Sequence, residues 1–143
     1  MKKLIVLLVL MLGGFQQLYS QEAEITTETK TMITPETLAQ QQLDAYNSGD
    51  IEAFLVPYSE DVEIYNFPDQ LTAKGKDQIR PNYENMFKDL PDLHCELVNR
   101  IVLGNTVMDH EKVTGLKGIE SLEVIAIYKI KDDKIAQVYF VRK

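Results

Sequence analysis

Apolar positions in this chain follow two periods, and the change falls at Pro91. Before it, Ala39, Leu43 and Tyr46 recur at helical spacing. Thr34-Pro35-Glu36 supplies the start of that helix: a hydroxyl cap, a residue preset for the first helical position, and a carboxylate suited to the positive helix end. Asn47-Ser48-Gly49 stops it. Asp50 then caps a second, short helix carrying Ile51, Phe54 and Leu55, which must end near Pro57. Val62, Ile64 and Asn66 alternate with Glu63, Tyr65 and Phe67, the period of a strand, closed by Pro68-Asp69. A loop is expected from there through Gly75. Ile79, Tyr83, Met86, Phe87 and Leu90 mark one face of a third helix, in which Pro81 is expected only in the first turn.

After Pro91 the period is two. Strands are expected over residues 93–103, 106–114, 122–131 and 134–142. Gly104-Asn105 and Asp132-Asp133 supply short hairpin turns, and residues 115–118 a looser one. Three helices with one strand among them, then a long antiparallel meander, imply an α+β fold with the helices on one face of a curved sheet. Neither a repeat nor a second domain is visible.

Composition adds little to that picture until the chain's opening is read. The chain has 143 residues, 45% hydrophobic and 26% charged, an ordinary balance for one core. Met1-Lys2-Lys3 is basic, Leu4 to Leu12 is apolar throughout, and Gly13-Gly14 and polar residues lead to Tyr19-Ser20. That order is expected to be a secretory signal peptide over residues 1–20, giving a secreted or periplasmic protein with no stable membrane anchor after cleavage. The apolar run is shorter than the roughly 20 residues that span a bilayer. Residues 21–33, rich in Thr and Glu, read as a flexible leader, and residues 34–143 as the domain. The single cysteine, Cys95, precludes an intrachain disulfide and suits a small buried group. A net charge of −7 repels phosphate backbones, so nucleic acid is not an expected partner.

Leu43-Asp44-Ala45-Tyr46-Asn47-Ser48-Gly49-Asp50-Ile51 and Tyr58-Ser59-Glu60-Asp61-Val62-Glu63-Ile64 resemble the opening helices and first strand of the nuclear-transport-factor-two-like superfamily, which includes SnoaL-like and steroid-isomerase-like domains. Ala126-Ile127-Tyr128-Lys129-Ile130-Lys131-Asp132-Asp133-Lys134-Ile135-Ala136-Gln137-Val138-Tyr139-Phe140 resembles its final hairpin, and residues 75–83 its entry to the third helix. The resemblance covers roughly residues 35–142. It implies a cone-shaped curved antiparallel sheet with three helices packed on its concave side and one pocket, a frame that hosts isomerases, dehydratases, cyclases, hydrolases and non-catalytic binders. Steroid isomerases of this fold use a carboxylate base on the first strand, a first-helix tyrosine and a protonated aspartic acid late in the sheet. The matching positions here are Asn66 or its neighbour Tyr65, Gln42 and Ala126, so all three groups are missing and ordinary ketosteroid isomerase chemistry is not expected. Tyr83 matches a pocket tyrosine of the family.

Asp109-His110-Glu111-Lys112 is the most unusual local feature, four ionisable residues in an expected strand with apolar flanks. Adjacent strand residues point to opposite faces, so Asp109 and Glu111 share one face and His110 takes the other. With Asp109 and Glu111 inward, two carboxylates about 7 Å apart share a site and gain proton affinity. With His110 inward, one imidazole is poised near neutral pH as acid or base beside Tyr83. The imidazole is preferred, with His110 and Asp109 as the catalytic candidates and Tyr83, Asn66, Tyr65, Glu111 and Tyr128 as ligand contacts. Solvated strand charges are the competing structural reading. The chain carries no His-Glu-x-x-His and no cysteine cluster, so neither a metal nor a cofactor is expected. Tyr46, Tyr58 and Phe87 read as core or cone lining.

These residues point to an exported small-molecule-pocket protein. It is either an acid–base isomerase, dehydratase or cyclase acting on a small apolar oxygen-bearing substrate, or a non-catalytic binding or dimeric interaction module. Val124, Ala126 and Tyr128 alternate with Ile125 and Ile127, so this strand is apolar on both faces while the helices cover only one. A homodimer through the sheet is therefore expected.

Overall fold

The computed structural model describes residues 32–142. The expected signal peptide and most of the leader lie outside them. Helices α1 (Pro35–Ser48) and α2 (Ile51–Leu55) precede strand β1 (Tyr58–Asn66). Strand β2 (Gln70–Lys74) and helix α3 (Lys76–Asp89) follow, and then β3 (His94–Leu103), β4 (Thr106–Thr114), β5 (Ser121–Lys131) and β6 (Lys134–Arg142). The six strands form one curved sheet in the order β2-β1-β6-β5-β4-β3, with three helices, as the α+β reading expects. All pairs are antiparallel except β1 with β6.

The helix starts follow the side chains that cap them. Thr34 Oγ1 accepts from the Thr37 backbone N–H, and Thr37 Oγ1 accepts in turn from the Thr34 N–H, closing a capping box. Gly49 ends α1 in the left-handed conformation, and Asp50 caps α2 through the Ala53 N–H. The Asn47 side chain then ties the end of α1 to β3. Its Oδ1 accepts from the Cys95 N–H at 2.7 Å, and its amide donates to the Cys95 carbonyl at 2.9 Å.

Two features differ from the sequence reading. Residues 70–74 pair with β1 instead of looping, but as an edge strand whose side chains are almost all exposed they lack the apolar alternation that announces a strand. Pro81 lies inside α3, past its first turn. Both Pro81 and Asp77, whose carbonyl loses its helical donor, are exposed, so water can serve that carbonyl.

The core sits between the helices and the inner sheet face. Leu38, Ala39, Phe54, Val62, Ile79, Val107, Ala126, Ile135 and Val138 are all buried there. On the outer face, Ile101, Met108, Ile125, Ile127, Tyr139 and Val141 occupy mutually paired positions across β3 to β6, and Ile101 remains 56% exposed. The turn after β4 is the tightest point. Gly115 has φ +77°, and a Cβ there would stand 2.1 Å from the Asp92 carbonyl oxygen. We therefore expect Gly115→Ala to lower stability by about 2–4 kcal/mol, combining left-handed strain with a backbone clash. Urea denaturation would measure this, and a loss below about 0.5 kcal/mol would contradict the close approach.

Candidate active site

Strand β4 enters the core with its odd-numbered residues. Val107, Asp109, Glu111 and Val113 are buried, while Met108, His110 and Lys112 face outward. His110 therefore does not meet Tyr83. Its ring lies 3.2 Å from Glu123 on the outer sheet face, opposite the cavity. The preference for the imidazole fails because a regular strand, without a bulge at this point, cannot turn adjacent side chains to one face.

Asp109 is inward but already committed. Arg100, its cross-strand partner on β3, donates from Nε and Nη2 to the two carboxylate oxygens at 2.7 and 2.8 Å, and from Nη1 to Gln40 on α1 at 2.9 Å. Asp109 is fully buried and does not line the cavity.

Glu111 has no such cation among the described residues. It lines a cavity of about 370 Å³ enclosed by α1, α2, α3 and the inner sheet. Tyr128 donates to Glu111 Oε1 at 3.0 Å, Gln42 Nε2 donates to the Tyr128 hydroxyl at 2.8 Å, and Tyr58 donates to Gln42 Oε1 at 3.3 Å. This chain of four polar groups forms the floor of an otherwise apolar chamber. Burial pushes Glu111 from 4.5 up to about 7, with the nearby Asp109 charge also raising it, against lowering by the Tyr128 hydrogen bond, Cys95 and Arg100.

Above the floor, aromatic rings form the wall. Phe54 packs against Tyr83 at a centroid separation of 4.4 Å, and Tyr46 meets Phe87 edge-on at 5.5 Å. Tyr46 and Tyr83 line the cavity, and among the described residues neither hydroxyl is bonded to another side chain. Burial, followed by the Glu111 charge, pushes the Tyr83 hydroxyl up to about 12, so it is a donor near neutral pH. Burial raises the Cys95 thiol as well, which keeps it protonated and unsuited to nucleophilic attack.

The remaining candidates separate. Tyr128 and Tyr83 both line the chamber. Tyr65 is on the outer face, stacked on Tyr139 at 4.7 Å and donating to Glu63. Asn66 is on the inner side at the end of β1, but its side chain is taken up by Gln70 and Arg142 and does not line the cavity. Gln42, Tyr46 and Tyr58 also line the chamber, although the sequence marked Gln42 only as the position of the family's first-helix tyrosine and the two tyrosines as core or cone lining. Their signal is the polar atom each carries into a buried position, which needs a partner.

A curved open sheet over three helices, with one apolar chamber and a carboxylate at its floor, defines a pocket protein of the cone-shaped α+β type. The chain belongs to the SnoaL-like domain family, which it matches over residues 39–138. None of the curated proteins matches it. Among solved structures it is similar to an uncharacterized cystatin-fold protein from Novosphingobium aromaticivorans, with TM-score 0.71 and 25% identity over 76% of this chain and 98% of that one. It is also similar to an NTF2-like protein of unknown function from Cytophaga hutchinsonii, with TM-score 0.67 and 18% identity over 80% and 94% of the two chains. A candidate polyketide cyclase from Sinorhizobium meliloti gives TM-score 0.63 and 18% identity over 73% and 93%.

Glu111 makes stability depend on pH in a definite direction. The folded chain holds a proton on Glu111 up to about 7, whereas the unfolded chain releases it near 4.5. The stability tied to that proton is fully present below 4.5 and is lost as pH rises through about 7, a change on the order of 3 kcal/mol. Glu111→Gln keeps an acceptor for Tyr128 without the charge. The variant should therefore gain on the wild type between pH 5 and pH 8 in urea melts, and parallel pH profiles would refute the buried, unpaired carboxylate.

Proposed function

We propose that the chain is an acid–base enzyme of the isomerase, dehydratase or cyclase kind, exported from the cell, acting on a small, largely apolar molecule that carries an oxygen. The observation that supports this reading is Glu111: a carboxylate paired with no cation among the described residues, at the floor of an apolar chamber, titrating close to neutral pH. Such a group takes a proton from carbon next to a carbonyl and returns it elsewhere, or hands one to a departing hydroxyl. Tyr128 aims it. Tyr46 and Tyr83, with hydroxyls open to the chamber, donate to the oxygen on which negative charge develops. The candidate polyketide cyclase among the similar structures is in keeping with carbonyl chemistry in this frame.

The outer face supports a second feature, pairing of two copies. Ile101, Met108 and Val141 are 56%, 38% and 37% exposed on a face that none of the three described helices covers, and they adjoin Ile125, Ile127 and Tyr139.

Proton abstraction is testable without the natural substrate. The C1 protons of 2-tetralone should exchange with D2O faster in the presence of the protein, by NMR, and the rate should rise with pH through about 7 as Glu111 ionises. Glu111→Gln should remove about 10²-fold of that acceleration. Saturable binding of the ketone with no acceleration would instead make the chain a binding module. For assembly, sedimentation at micromolar concentration should give a dimer that Met108→Asp with Ile127→Asp returns to monomer. A wild-type monomer would end that part of the proposal.

A further inference from the structure

The chamber has a second charged lining group. Arg142, near the end of β6, lines the same cavity as Glu111 but is exposed, so it stands at the rim while the glutamate lies at the floor. Its guanidinium sits 5.1 Å from the centre of the Phe140 ring, and Nη1 donates to Asn66 Oδ1 at 3.1 Å. No carboxylate lies within ion-pair distance among the described residues, whereas Arg80 and Arg100 each hold one. An arginine fixed by a neutral amide and an aromatic face keeps several of its five donors free, in a planar fork matched to a carboxylate. Asn82 adds an amide to the exposed part of the lining.

We infer that the ligand is a monocarboxylate with a compact apolar body, held by its carboxylate at Arg142 on the rim and reaching the floor with its uncharged end. The inference rests on the proposed use of the chamber and adds the substrate class. Orientation follows from charge. A carboxylate at the floor would lie beside Glu111 and away from the rim cation, where it must either repel an ionised Glu111 or hold it protonated and out of use as a base. At the rim it meets the only cationic side chain of the lining among the described residues, and water covers whatever the arginine leaves unsatisfied. The aromatic wall of Phe54, Tyr46 and Tyr83 then takes the body, and the far oxygen arrives beside Glu111 and Tyr128. Size agrees with this: about 370 Å³ is at the small end of ligand chambers and suits one or two fused rings or a short chain.

Two probes of one shape separate the terms. Calorimetric titration at pH 6 with 2-naphthoate and with 2-naphthol compares an anion and a neutral hydroxyl on the same ring system. The acid should bind at least fivefold more tightly, a modest factor because the arginine is exposed and salt screens it. Arg142→Gln should bring the acid to the level of the alcohol while changing the alcohol less than twofold, and Arg142→Lys should keep part of the preference. Added salt should weaken the acid alone. Equal affinities in the wild type, or an undiminished preference in Arg142→Gln, would overturn the carboxylate assignment and leave the chamber reading intact. Failure of both probes to bind would overturn the two together.

Discussion

Asp109 and Glu111 enter one apolar interior from the same strand, and the fold accommodates both because Arg100 meets the first with a two-pronged ion pair. Taking two charges out of water costs several kcal/mol per ion, recovered only where geometry and remaining hydrogen bonds are good. Here both carboxylate oxygens are served and a third guanidinium nitrogen reaches Gln40, so β3, β4 and α1 are joined at one point. Removing either partner would strand a buried charge, at about 3–5 kcal/mol. The pair also shapes the site. Its carboxylate adds to the proton affinity of Glu111 and its guanidinium subtracts from it, which leaves burial as the main cause of the raised value.

Hydrogen-bond direction fixes the floor further. Tyr128 has one proton, and it goes to Glu111. Its oxygen must then accept, so Gln42 presents its amide nitrogen to Tyr128 and its carbonyl oxygen to Tyr58. Each member comes from a different element: α1, β1, β4 and β5. The floor is thus assembled only when the helices have docked on the sheet, and Asn47, gripping both backbone groups of Cys95, holds that docking from the far end of α1. Side chains held by hydrogen bonds to several elements in this way are positioned before any ligand arrives.

Much of this frame was legible in the sequence because local chemistry and global fold agree there. The caps at Thr34 and Asp50, the stop at Gly49 and the period-two strands after Pro91 predict elements within a residue or two of those observed. Face assignment was harder. Strand β4 alternates Val107, Asp109, Glu111 and Val113 with Met108, His110 and Lys112, and each set contains both apolar and charged members. Hydrophobicity along one strand therefore cannot choose the inner face. Arg100 decides it, but that partner is recognisable only once β3 and β4 are in register, including the bulge between Leu97 and Asn99. For the same reason Gln42 read as a missing tyrosine instead of a link in a buried network, and Arg142 drew no notice beyond being the last residue of an expected strand.

Comparison with the steroid-isomerase arrangement shows how one frame can move its chemistry without moving its backbone. At the position of the late acid stands Ala126 on β5, fully buried, and directly across the ladder from it on β4 stands Asp109. A carboxyl at 126 would compete with Asp109 for the same interior space and bring a second charge against Arg100. The methyl removes that conflict. Acidity then enters two residues further along β4, at Glu111, where Tyr128 of β5 can reach it. On β1, Asn66, which with its neighbour Tyr65 is where the resemblance puts the isomerases' base, holds Arg142 in place through its amide oxygen. The chamber thus carries a cation, Arg142, at its rim and a carboxyl, Glu111, at its floor. On the proposed use of the chamber, a ligand recognised by charge and reacting by proton transfer lies with its anionic end at Arg142 and its reacting end at Glu111.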